Sequence, residues 1–180
     1  MLITHETAIE QYGSPYRIDR EVTAGNLFKV ARGIYSDVRN ADPYAIAALR
    51  YPKAIVTMDS AFYLHGLTDF VPMQVHLATL RNATRIKDPS IVQSFSSEKT
   101  FGMGKVTIER SGTSISIYSR ERMLVELMRA SSSMPLDYYK EIVASYRRIV
   151  EELDLRAVED YMAAFERNGY MFEILRKEVL

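Results

Sequence analysis

Three side chains near the start of the sequence have types and spacing suited to contacting nucleic acid. Tyr16, Arg17 and Arg20 fall in one short helical stretch, and they share its exposed side if Ile18 and Val22 point inward. An arginine can bind the edge of a guanine or a phosphate group. The stretch is therefore a candidate DNA-contacting helix.

Two further basic residues, Lys29 and Arg32, lie in the segment that follows and extend the candidate DNA-binding set. Asp19 and Glu21 interleave with the arginines of the helix, so a solvated helix face explains the same residues without a ligand. Both interpretations stay open from the sequence.

A second group of basic residues lies in the middle of the chain and is a candidate partner-binding set. Residues 81–110 carry six basic and three acidic side chains, a net charge of +3. This excess suits an acidic partner or nucleic acid, but ordinary charge on loops and strands explains it equally well. The candidates are Arg81, Arg85, Lys87, Lys105 and Arg110.

Residues that could support catalysis do not form a recognisable constellation. The three histidines are far apart and lack metal-site spacing, and Asp59-Ser60 lacks a partnered base and is predicted to cap a helix. Gly102 and Gly104 in FGMGK precede a strand-like segment, which favours a hairpin turn over a phosphate loop. We therefore expect no enzyme activity, no metal and no cofactor.

Composition limits the remaining classes of protein. The 180 residues are 47% hydrophobic, include no cysteine and carry 23 basic against 23 acidic side chains. A net charge of zero argues against a chain devoted uniformly to polyanions. No apolar run is long enough for a membrane span and the start lacks the features of a signal peptide, so a cytoplasmic protein is expected.

The segment that must position the first basic group reads as two helices followed by a hairpin. A helix is predicted over 4–11, and a second begins at Ser14-Pro15 and closes at Gly25. The stretch LFKVARGIYSD, residues 27–37, then reads as two strands around an Arg32-Gly33 turn. Helix, turn, helix and hairpin together predict an N-terminal winged helix-turn-helix over residues 1–50.

The rest of the chain mixes strands and helices. Strands are predicted within 53–57, 75–79, 91–95, 106–109 and 114–118, and helices over 43–51, 61–65, 120–130, 136–153, 155–167 and 169–180. The mixed order predicts an α+β fold, with a second domain over residues 51–180 that ends in helices.

Four stretches in one order resemble the AbiEi-type antitoxins of bacterial type IV toxin-antitoxin systems. Residues 25–35 are similar to the wing of that family, and SAFYLHGL at 60–67 is similar to its SAL-x-x-HGL helix. The strand at 75–79 follows, and YSRERMLVEL at 118–127 is similar to its P-E-R-T-L-x-D helix, with Ser119 where the family often has proline.

The resemblance implies a non-enzymatic regulator. Such antitoxins repress their own operon through an N-terminal winged helix and counter a nucleotidyltransferase-like toxin encoded beside them. Carried over by position, contact with promoter DNA falls on Tyr16, Arg17, Arg20, Lys29 and Arg32. The toxin-countering role falls on the region after about residue 51.

Two departures from the family pattern keep other functions open. The family usually has another helix before the one predicted at 4–11, and residues 1–40 carry five charges of each sign where phosphate contacts favour a basic surplus. A protein-interaction module that has lost DNA binding is the main alternative. A metal-dependent nuclease using Glu98 or Glu109 is a more remote one.

Overall fold

The structure, a computed structural model, describes residues 1–165 and 169–179. Helices and strands alternate irregularly, and the strands form two separate sheets, so the predicted α+β class is confirmed. The chain divides into two compact units, Met1–Ala54 with Thr107–Ser116, and Ile55–Val106 with Ile117–Leu180. The predicted division into domains 1–50 and 51–180 stays a prediction.

The first unit opens with a strand and two helices and continues into a hairpin and a third helix. Its elements are β1 (Leu2–Thr4), α1 (His5–Tyr12), α2 (Pro15–Thr23), β2 (Phe28–Ala31), β3 (Ile34–Ser36) and α3 (Pro43–Arg50). The strands pair in the order β1-β3-β2. β1 was not predicted, because three residues are too few to show strand alternation. Its pairing with β3 defines it.

The sequence signals around α2 produce the predicted helix. Ser14 Oγ accepts a hydrogen bond from the Arg17 backbone N–H at 3.4 Å, and Pro15 takes the first helical position. Gly25 adopts φ +77° just after the helix. The predicted hairpin is confirmed as well, with Gly33 at φ +74° between its strands.

A small apolar core joins the helices and the sheet of this unit. It consists of Ile3, Ala8, Ile18, Leu27 and Tyr35. Strands β1 and β3, both first helices and Leu27 just before β2 contribute to this core, so the backbone of α2 has a defined place on the sheet.

α3 packs on the same sheet from after the hairpin. Asp42 caps it by accepting a hydrogen bond from the Tyr44 N–H at 2.9 Å. Tyr44, Ala45 and Ala47 are buried, and the helix contacts β1 and β3. α3, which follows the hairpin in sequence, thus packs against two strands of the first unit.

The second unit is built around a sheet with a short buried central strand. Its elements are β4 (Ile55–Val56), α4 (Met58–Leu64), β5 (Val75–Leu80), β6 (Ile91–Ser96), α5 (Glu98–Phe101), β7 (Lys105–Arg110), β8 (Thr113–Tyr118), α6 (Arg120–Ala130), α7 (Leu136–Ile149), α8 (Leu155–Ala163) and α9 (Gly169–Ile174). The strand order is β6-β5-β4-β8-β7. β4 runs antiparallel to β5 and parallel to β8, and β5 runs parallel to β6. The outer part of the β7–β8 hairpin belongs to the first unit.

Two sequence predictions in this unit are wrong. FGMGK is not a hairpin turn, because β6 and β7 lie at opposite edges of the sheet and α5 separates them. Asp59-Ser60 does not cap α4, which begins at Met58 after Thr57. The Ser60 hydroxyl instead accepts a hydrogen bond from the His76 N–H at 2.9 Å, which joins α4 to β5.

The helical tail follows the predicted order with shorter elements. α6 is capped by Ser119, whose Oγ accepts from the Arg122 N–H at 3.3 Å, as expected. α7 ends earlier than predicted, and a 3-10 turn at Val150–Glu152 follows it. A π-helical turn, Leu175–Val179, extends α9. The predicted helix ends at Arg167 and Leu180 lie outside the described residues. Among the helices that are described, none has both the length and the apolarity to cross a membrane.

Gly104 faces a more crowded site than the other turn glycines, which predicts a specific loss of stability on substitution. Its φ is +70°, and an added Cβ would lie 2.5 Å from the Arg122 Cβ. Gly104→Ala should lower the free energy of unfolding by roughly 2–4 kcal/mol, because backbone strain and overpacking act together. Urea denaturation followed by circular dichroism measures the loss.

Gly112→Ala is the matched control for this change. Gly112 has φ +71° with no atom within 4 Å of an added Cβ, so only the backbone strain of about 1–2 kcal/mol applies. Equal losses in the two variants would contradict the steric role of Gly104.

Candidate functional site

The outward side of α2 presents most of the first group of candidate residues together. Ile18 is 1% exposed and anchors the inner side, whereas Tyr16 is 76% exposed. Tyr16, Arg20 and Thr23 are spaced by four and three residues, which aligns them along one stripe opposite Ile18. Arg17 is exposed at the edge of that stripe.

The two acidic residues of α2 lie on different sides of the helix. Asp19 is exposed, and helical spacing places it at the edge of the stripe opposite to Arg17. Glu21 lies nearer the buried Ile18; its carboxylate is half-buried and accepts a hydrogen bond from Asn26 Nδ2 at 2.9 Å, just beyond the helix. The stripe therefore carries Arg20 at its centre, with Arg17 and Asp19 as opposite charges at its two edges.

Lys29 and Arg32 are also exposed, on the hairpin that follows α2. Lys29 lies in β2 beside a bulge in its pairing with β3, and Arg32 occupies the turn before Gly33. All five candidate DNA-binding residues are therefore exposed on one unit. None of them takes part in the ion pairs seen among the described residues.

A groove beside the hairpin contains a basic residue that sequence reasoning missed. The Arg39 guanidinium lies over the Phe28 ring, 5.5 Å from its centroid. Both residues line a groove of about 880 Å³ whose only charged lining residues in the described chain are Lys29 and Arg39. The signal available from the sequence was a second basic residue shortly after the hairpin. The full lining is Val22, Thr23, Gly25, Leu27, Phe28, Lys29, Val30, Arg39, Asn40, Ala41, Pro43 and Ile46.

The second group of candidate residues does not assemble into one patch. Arg81, Arg85 and Lys87 are exposed in the connection between β5 and β6, whereas Lys105 and Arg110 begin and end β7. β6 and β7 form the two opposite edges of the sheet. The strand order therefore argues against one binding face that contains all five residues.

Arg110 has a structural partner. Its Nε donates to a carboxylate oxygen of Asp42, the residue that caps α3, and its guanidinium lies 5.6 Å from the Tyr44 ring centroid. This side chain holds the tip of the β7–β8 hairpin against the start of α3, both within the first unit.

The histidines and carboxylates of the second unit serve local structure. His65 caps the end of α4, and its Nε2 lies 2.7 Å from the Tyr118 carbonyl oxygen, a distance at which the N–H donates to that oxygen. His76 Nε2 lies 3.7 Å from Asp59 Oδ2. Burial lowers the pKa of both histidines, against the opposing effect of the Tyr118 carbonyl for His65 and of Asp59 for His76.

No arrangement of three or more metal-ligating side chains occurs in the described part of the chain. Of the two carboxylates considered for a nuclease, Glu109 accepts a hydrogen bond from the Ser114 hydroxyl across the β7–β8 hairpin.

Comparison with known proteins gives a structural match only. No protein-family model matches this sequence, and no curated protein matches it. The crystal structure of the Rv2827c protein from Mycobacterium tuberculosis is similar, with a TM-score of 0.61 and 16% sequence identity, over 96% of this chain and 71% of that one. The two proteins share a mixed α+β fold.

The lowered pKa values of His65 and His76 predict a pH-dependent stability. Below the ordinary histidine pKa of about 6.5, the unfolded chain takes up protons that the folded histidines refuse. The free energy of unfolding should therefore fall as pH decreases from neutrality through this range. Urea denaturation at a series of pH values measures the slope.

His65→Gln and His76→Gln should each reduce that slope, and the double variant should remove most of it. Glutamine keeps a hydrogen-bonding side chain but does not titrate. An unchanged slope in the double variant would contradict the assignment.

Proposed function

We propose that this chain is an AbiEi-like antitoxin that binds DNA at its own promoter and counters a nucleotidyltransferase-like toxin. The observation that carries the DNA-binding half is the outward side of α2, where Tyr16, Arg17 and Arg20 reach solvent together while Ile18 anchors the helix. The ordered resemblance of four stretches carries the antitoxin half.

The first unit supports the proposal because it has the order of a winged helix-turn-helix. α1 and α2 are the paired helices, α2 is the recognition helix, and the β2–β3 hairpin is the wing. α3 contacts β1 and β3 and helps to hold the motif on its sheet.

The charge arrangement supports DNA contact more than the composition does. An arginine at the centre of the stripe on α2 could enter the major groove, with Arg17 at its edge. In this proposal Lys29 and Arg32 on the wing, together with Arg39 in the adjoining groove, bind phosphates. Of the acidic residues of α2, Asp19 is exposed, whereas Glu21 is half-buried and accepts a hydrogen bond from Asn26.

Two of the family-like stretches meet in the second unit. His65, in the stretch similar to the family's HGL helix, lies against the carbonyl oxygen of Tyr118, the first residue of the stretch similar to its P-E-R-T-L helix. The contact gives the two motifs a common structural role, because it joins the end of α4 to β8, the strand that leads into α6. In this proposal the protein is a cytoplasmic, non-enzymatic regulator.

The alternative of a protein-interaction module has its own supporting observation. Phe70, Val71, Met73 and Leu136 are all more than half exposed, and Met73 is 97% exposed. Phe70 also lines a cavity of about 450 Å³ between α4, β5 and the start of α7. Exposed apolar side chains of this kind favour protein contacts. The DNA-binding experiment discriminates the two functions.

The DNA-binding half predicts sequence-preferring binding to the promoter region upstream of this gene. Arg17→Ala and Arg20→Ala should each weaken binding by roughly 1–3 kcal/mol if they read bases, and Arg32→Ala should weaken all DNA similarly and reduce the salt dependence. Fluorescence anisotropy with labelled duplexes at several salt concentrations measures both effects.

Arg148→Ala is the matched control, since it removes an exposed arginine from α7 in the second unit. It should bind like the unaltered protein. If the protein binds promoter DNA no more tightly than random DNA, the DNA-binding half of the proposal is wrong, and the protein-interaction module becomes the preferred function.

The antitoxin half predicts rescue of growth. Co-expression of this chain should restore growth to cells that express the nucleotidyltransferase-like toxin encoded beside it. Arg17→Ala with Arg20→Ala should keep the rescue, because that role is proposed for the second unit. Failure of the unaltered protein to rescue removes the antitoxin half and leaves the DNA-binding half standing.

A further inference from the structure

The free edge of β7 carries a self-complementary pattern of backbone groups and charges. β7 is the last strand of its sheet, and in the described part of the chain it pairs with β8 alone. Five of its six residues are exposed, including Val106 at 40%. It has no proline, one of the devices that keep sheet edges from pairing with other chains.

The turn of the hairpin determines which backbone groups of β7 face outward. Ser111 and Gly112 have φ +51° and +71°, as in the two-residue turn that twists with its strands. Such a turn makes Arg110 and Thr113 the closing hydrogen-bonded pair. The N–H and C=O groups of alternate residues then point away from β8, and these residues are Lys105, Thr107 and Glu109.

An observed side-chain contact supports this register. Counting back from the turn places Glu109 opposite Ser114, and the Ser114 hydroxyl donates a hydrogen bond to the Glu109 carboxylate. The same count places Ile108 opposite Ile115, whose side chain is fully buried. Lys105, Thr107 and Glu109, whose backbone groups point away from β8, therefore have their exposed side chains on the sheet face opposite to that of Ile108 and Ile115.

We propose that β7 pairs with β7 of a second copy of this chain, antiparallel and centred on Thr107. This register places Lys105 of each copy opposite Glu109 of the other and Thr107 opposite Thr107. Every outward backbone group then has a partner, and two ion pairs form across the symmetry axis.

The other face of the strand agrees with the same register. Val106 of each copy lies opposite Ile108 of the other, at the closer, non-hydrogen-bonded positions. Pairing covers part of the exposed Val106 side chain. Arg110 falls opposite Gly104, so the ion pair between Arg110 and Asp42 is not disturbed by a like charge.

Alternative registers are less complementary. Centring the pairing on Ile108 places Glu109 opposite Thr107 and leaves Lys105 opposite Ser111 in the turn, so no ion pair forms. A shift by a single residue between the copies pairs outward backbone groups with inward ones and removes the hydrogen bonds. Only the register centred on Thr107 satisfies both the outward backbone groups and the charges of Lys105 and Glu109. This self-complementarity is the reason to infer that a second copy of the chain pairs with this edge.

The interface is small, so the expected dimer is weak and depends on protein concentration. Sedimentation velocity over roughly 1–500 µM at low salt should show a monomer converting to a dimer. Thr107→Pro should abolish this conversion, since it removes an outward N–H without removing a hydrogen bond to β8. Circular dichroism establishes that the variant is folded.

Charge reversal tests the register independently of proline. Lys105→Glu alone or Glu109→Lys alone places two like-charge pairs across the axis and should weaken the dimer at least about tenfold. The double variant K105E/E109K restores both ion pairs and should restore the dimer. Lys140→Glu, an exposed change of the same charge on α7, should have no effect.

Mixing the two single variants gives the sharpest outcome. The K105E chain carries two glutamates on this edge and the E109K chain carries two lysines, so the mixture should form a heterodimer tighter than either homodimer. A monomer at every concentration, a dimer unaffected by Thr107→Pro, or a double variant as weak as the single variants would each overturn the proposal. None of these outcomes depends on DNA binding.

Discussion

The second unit depends on one buried guanidinium. The Arg122 side chain has 0% exposure. Its Nη1 donates to the carbonyl oxygens of Thr100 and Met103 at 2.6 and 3.1 Å, and its Nε and Nη2 donate to Glu126 Oε1 at 3.1 and 2.6 Å. A buried charge is tolerated only when it is paired and hydrogen-bonded throughout, so these partners must all stay in place. The guanidinium therefore joins α6 to the end of α5 and to the turn before β7.

Aromatic rings and a close backbone approach complete the surroundings of Arg122. The guanidinium lies 4.5 Å from the ring centroid of Tyr118 and 5.0 Å from that of Phe165, where the ring faces favour a cation. Tyr118 donates its hydroxyl to the Phe101 carbonyl at 2.8 Å, so the ring is held from both ends. The backbone at Gly104 comes close enough to Arg122 to exclude any side chain there. FGMGK, which has the glycines of a ligand loop, is thus shaped by an arginine of its own chain.

In the first unit, one helix has two tasks: its exposed side carries the candidate DNA-contacting residues, and its buried side packs into a small apolar core. α2 buries Ile18 and exposes Tyr16 and Arg20, and this division was predictable because local spacing decides the faces of a helix. Its caps at Ser14 and Gly25 were predictable for the same reason.

What the sequence alone determined is the order and type of most elements, the faces of the amphipathic helices and the candidate DNA-contacting side chains. These follow from interactions between residues close in the chain, where capping and periodicity act. The tertiary structure alone decided that β1 exists, that α3 supports the first unit, and that β6 and β7 lie at opposite edges. It also decided that Arg122 is buried. Each of these depends on pairing between distant segments, and a single sequence has no local signal for partners that meet only when the chain is folded.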